Sequence, residues 1–79
     1  SLMTTAERVM FNEVLYKIRA TGANVISKYL APTPVITVDR PVPGLIDKAI
    51  ALNERVNGLN RVVFAARISG VCVKWGATE

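Results

Sequence analysis

The segment that most constrains this chain runs from Arg61 to Trp75, where apolar residues alternate with others on both sides of Ser69-Gly70. A two-residue loop there pairs Ile68 with Val71, Ala66 with Val73 and Phe64 with Trp75, which is the arrangement a tight β-hairpin requires. One face then collects Val62, Phe64, Ala66, Ile68, Val71, Val73 and Trp75, and the other Arg61, Val63, Ala65, Arg67, Cys72 and Lys74. The first reads as a core face, and the second as the side an antiparallel sheet leaves to water. Slipping the register by one residue would drive Arg67 and Lys74 into the core, so the pairing is strongly specified.

The other segments are read against this hairpin. Thr4 and Glu7 have the spacing of a capping box, and Met10, Phe11, Val14, Leu15 and Ile18 recur at helical spacing, with Glu13 and Lys17 as an i,i+4 pair. A helix is expected over residues 5 to 20, ending at Thr21-Gly22. Within 23 to 30, Val25, Ile26, Tyr29 and Leu30 suit a strand. The stretch Ala31-Pro32-Thr33-Pro34 bars helix, and the β-branched run Val35 to Val38 suits a second strand pairing back on the first.

Residues 45 to 56 admit two readings. Leu45, Ala49, Leu52 and Val56 fall at helical spacing, yet Asn57-Gly58 is a strong hairpin signal. The strand reading, over roughly 48 to 56, is preferred here, with a three-residue loop that sets Ile50, Leu52 and Val56 on the face of Phe64 and Ala66. The expected fold is α+β: an N-terminal helix on a small antiparallel sheet ending in the C-terminal hairpin, with the helix stripe buried against Phe64 and Trp75. The alternative is α-β-α-β-β with 45 to 56 helical. At 79 residues, with no dividing linker, one domain over 3 to 79 is expected. Ser1-Leu2 before Met3, and Glu79, look like cloning remnants, and Met3 reads as the natural start.

Composition narrows function mainly by exclusion. The chain has 51% hydrophobic and 20% charged residues, which places it with globular rather than disordered sequences. Its apolar runs are too short to span a membrane and its N-terminus lacks a signal-peptide pattern, so a cytoplasmic setting is expected. Histidine is absent, and Cys72 is the single cysteine, with no partner to activate it. Glu7, Glu13, Asp39, Asp47, Glu54 and Glu79 share no motif, and the five glycines stand singly, so no phosphate loop is present. These features point away from an enzyme, a metal centre and any cofactor. Asp39-Arg40 beside Pro41 resembles a fixed recognition point, but it reads more simply as a capped, solvated turn.

Two functions compete. The first is a non-enzymatic interaction or assembly module, with a protein partner or a second copy covering an unpaired sheet edge. The second is a nucleic-acid-associated accessory protein. The net charge is +4, and Arg61, Arg67 and Lys74 share the wet face of the hairpin, with Arg55 placed beside them from the neighbouring strand. The hairpin aromatics point the other way, which removes a stacking platform for bases, and a solvated charged face is the simpler account.

The segment Pro34-Val35-Ile36-Thr37-Val38-Asp39-Arg40-Pro41, followed by Arg61 to Trp75, resembles small proteins encoded in bacterial prophages. The resemblance covers about half the chain and implies a bacterial cytoplasmic setting. It carries over no activity and no functional residue.

Overall fold

The computed structural model describes residues 3–30 and 32–76. The remnants read at Ser1-Leu2 and Glu79, the Ala31 of the proline stretch, and positions 77–79 of the expected domain lie outside the described residues. Helix α1 spans Thr5–Ala20, the expected range. The capping box starts it. The Thr4 hydroxyl accepts from the Glu7 amide at 3.1 Å, and the Thr4 amide donates to Glu7 Oε1 at 2.8 Å, so two donors without helical partners are satisfied. The buried stripe is Phe11, Val14, Leu15 and Ile18, whereas Met10 lies at its flank and is exposed.

Five strands follow: β1 Val25–Tyr29, β2 Val35–Val38, β3 Ile50–Val56, β4 Leu59–Ile68 and β5 Val71–Gly76. They form one sheet in the order β1-β2-β5-β4-β3. The expected α+β class and helix-then-strands order are present. The sheet, however, is mixed: β2 and β5 run parallel, with Ile36 beside Val73 and Val38 beside Trp75, while every other pair is antiparallel. The parallel pair arises because the chain crosses from β2 to the far edge before the β3-β4-β5 meander returns. The crossing segment brings Val42 and Leu45 into the core and closes with a single 3₁₀ turn, Ile46–Lys48.

That turn is all that forms of the alternative helix over 45 to 56. Leu45 is buried and Ala49 half-buried, but Leu52 and Val56 belong to β3, because β4 supplies a long partner strand and Asn57-Gly58 supplies the turn. Asn57 and Gly58 have φ of +52° and +79°, and Ser69 and Gly70 +51° and +77°. Positive φ at both central residues is the type I′ geometry whose twist matches a hairpin. Two residues in the first loop, where three were expected, place Val56 opposite Leu59. Ile50, Leu52 and Val56 therefore share a face with Val63 and Ala65, opposite Phe64 and Ala66.

The core lies between α1 and one sheet face. Phe11, Val14, Leu15 and Ile18 form one cluster with Ile36, Val38, Ala66, Val71, Val73 and Trp75. Phe64 packs against this cluster and stacks on Trp75, with ring centroids 6.4 Å apart and planes at 24°. Val62, expected in the core, is exposed, since it lies toward the β3-β4 end of the hairpin, away from the cluster. Among the described residues, no helix is long and apolar enough to cross a membrane.

Candidate interaction surface

The sheet face turned away from α1 carries the wet side of both hairpins. Cross-strand pairing sets Glu54 opposite Arg61, Leu52 opposite Val63, Ile50 opposite Ala65, and Ala65 opposite Lys74. Arg61, Arg67 and Lys74 lie on this one face, as the sequence implies. Arg55 does not. It pairs with Asn60, one residue out of phase with Glu54 and Arg61, and so belongs to the opposite face.

Glu54 reorganises the charge. Its Oε2 accepts from Lys74 Nζ, and its Oε1 lies 3.6 Å from Arg61 Nη2. Two of the three cations thus share one carboxylate, while Arg67 makes no ion pair among the described residues. The hydrogen bond from Lys74, then the attraction of Lys74 and Arg61, hold the Glu54 carboxyl below its ordinary range. Sequence reasoning passed over Glu54 because its partner depends on loop length. Counting back from a two-residue loop at Asn57-Gly58 would have found it.

A groove of about 550 Å³ runs across this face beside the ion pairs, with Ile26, Tyr29 and Thr37 on its β1-β2 side and Arg61, Lys74 and Glu54 on the other. Tyr29 reaches it through a β-bulge. Val25 pairs with Val38 and Ser27 with Thr37, so the extra residue Ile26 shifts the alternation and turns Tyr29, 62% exposed, onto the open face. Asp39 also lines it. Its carboxylate accepts from the Asn24 amide and from Asn24 Nδ2, both at 2.9 Å, and from Arg40 Nε and Nη2 at 3.2 Å. The Asp39-Arg40 stretch is exposed, as the simpler reading holds, but its cap is not local to the turn: it is a clasp to Asn24 that continues the β1-β2 pairing. Arg40, followed by Asn24, holds the Asp39 carboxyl far below its usual range.

These carboxylates give a signed pH dependence. Depressed folded pKa values mean that their contribution is complete above the unfolded values, near 3.8 for Asp39 and 4.5 for Glu54, and fades as pH falls below them. The melting temperature should therefore fall between about pH 5 and pH 2, and fall less for D39N, which has no proton to take up at this position. Parallel curves for parent and variant would refute a role for the clasp.

The β3-β4 hairpin is the apolar part of the surface. Ile50, Leu52, Val56 and Leu59 are between 38% and 74% exposed, while Val63 and Ala65, paired with Leu52 and Ile50 on the same face, are buried although α1 packs on the other side of the sheet. Cys72 is half-buried on the same face. Among the described residues, no group of three His, Cys, Asp or Glu side chains lies where it could hold a metal ion. A sequence model of the Kil protein family matches residues 3–76. No curated protein and no solved structure matches the chain.

Proposed function

The chain belongs to the Kil protein family, a family of small phage-encoded proteins, and from that premise we propose that it is a non-enzymatic interaction or assembly protein working through its β3-β4 hairpin. The observation that carries this reading is the exposed apolar residues on either side of the Glu54-Arg61 pair, Ile50 and Leu52 on one side and Val56 and Leu59 on the other, on and beside an edge strand with nothing paired to its outer side among the described residues. Exposed apolar side chains next to an open edge favour a protein partner over water. Nucleic-acid association through Arg61, Arg67 and Lys74 is the competing reading, supported by their shared face. Glu54 weakens it by neutralising part of the patch that phosphates would need.

Association with another protein or another copy should survive nuclease and be lost in the double variant Leu52→Ser, Leu59→Ser. Both side chains are exposed, so the variant keeps its circular dichroism spectrum. The measurement is capture by tagged protein, from bacterial lysate supplemented with an untagged copy, with and without nuclease. Capture that nuclease abolishes and the double variant retains would favour nucleic acid instead.

A further inference from the structure

Resting on that reading, we infer that one occupant of the hairpin edge is a second copy of this chain, pairing antiparallel along β3 about a two-fold axis at Asn53. The sheet has two edges, β1 and β3. The β1 edge is short, carries the bulge at Ile26 and an exposed Lys28, and leads to Pro32 and Pro34, the devices by which sheets discourage edge pairing. β3 spans seven residues with no proline, no register shift and no covering segment among the described residues.

The pairing follows from which backbone groups are free. A two-residue loop at Asn57-Gly58 closes on Val56 and Leu59, which exchange both backbone hydrogen bonds, so alternate residues Glu54, Leu52 and Ile50 also bond β4. The N–H and C=O groups of Ala51, Asn53 and Arg55 point outward. A two-fold axis perpendicular to the sheet keeps each face on its own side, which restricts the centre to a residue rather than a peptide bond. Centred on Asn53, all three outward residues meet outward residues: Asn53 its own copy, and Ala51 the partner's Arg55. Ile50 meets Val56 and Leu52 meets Glu54 on the open face, so no like charges stand opposite each other. Moving the centre to Glu54 sets two carboxylates face to face; moving it to Leu52 shortens the paired stretch. At +4 per chain, the copies repel, so added salt strengthens the association.

The test uses purified chain in sedimentation equilibrium. Proline at position 53 removes only an outward donor and leaves the β4 ladder intact, so N53P is expected to stay folded and to weaken the dimer roughly 10- to 100-fold. A second measurement does not depend on tolerating proline. On a Cys72→Ser background, N53C should form a disulfide-linked dimer under mild oxidation, because directly paired residues lie within bridging distance, while A51C should not. Equal cross-linking of N53C and A51C, or a monomer at all concentrations, overturns the self-pairing. If hairpin-dependent capture of another protein persists beside that monomer, the interaction reading stands alone. If capture is absent too, both fall.

Discussion

Trp75→Ala is expected to remove about 3–5 kcal/mol of stability, the usual cost of truncating a buried aromatic. A chain of 79 residues has only about 4–12 kcal/mol in total, so this one change can leave much of the protein unfolded at ambient temperature. The reason is position. Trp75 is 3% exposed, stacks on Phe64, and sits on β5 with β2 on one side and β4 on the other. Its loss opens a cavity where the helix-side core meets the strand that joins both halves of the sheet. Trp75 is the only tryptophan, so the urea transition of the variant must be followed by circular dichroism. A midpoint within error of the parent's would show that the core closes without this side chain.

Ile36→Ala is expected to cost about 2–5 kcal/mol, whereas Leu52→Ala should stay within about 1 kcal/mol. Both are branched aliphatics in strands, but they lie on opposite faces. Ile36 is fully buried beside Val73 in the parallel pair, and Leu52 is 40% exposed on the face turned away from α1. Urea unfolding followed by Trp75 fluorescence compares them directly. Equal losses would mean that the open face is as much a core as the helix face, and the hairpin could then not serve as a free docking surface.

The features legible in the sequence are those fixed by neighbours a few residues apart. Thr4 with Glu7 marked the helix start, the run Val35 to Val38 marked β2, and the alternation about Ser69-Gly70 gave the register of β4 and β5 pair for pair. The parallel contact of β2 with β5 was not legible, because no local pattern records which distant strand enters the middle of a sheet. The face of β3 turned on a single residue of loop length at Asn57-Gly58, and with it went the placement of Arg55 and the discovery of Glu54. Tyr29 was hidden for a similar reason. Only the bulge at Ile26 turns it outward. Arg61, Arg67 and Lys74 were grouped correctly because the hairpin that carries them is the locally specified one.

The strand order has a consequence for the order of events in folding. Among the described residues, β1 with β2, and β3 with β4, are two hairpins hydrogen-bonded into one sheet only through β5. β5 is the last of the five to be synthesised, and Ile36, Val38, Phe64 and Ala66 all await partners on it. Until those six residues are present, no strand links the two ribbons, and each is too small to be stable in water by itself. The sheet therefore closes in a single late step that joins segments far apart in sequence, which sets a slow, cooperative folding rate for so small a chain. A chain cut before Val71 should not retain a smaller sheet; it should lose the whole fold.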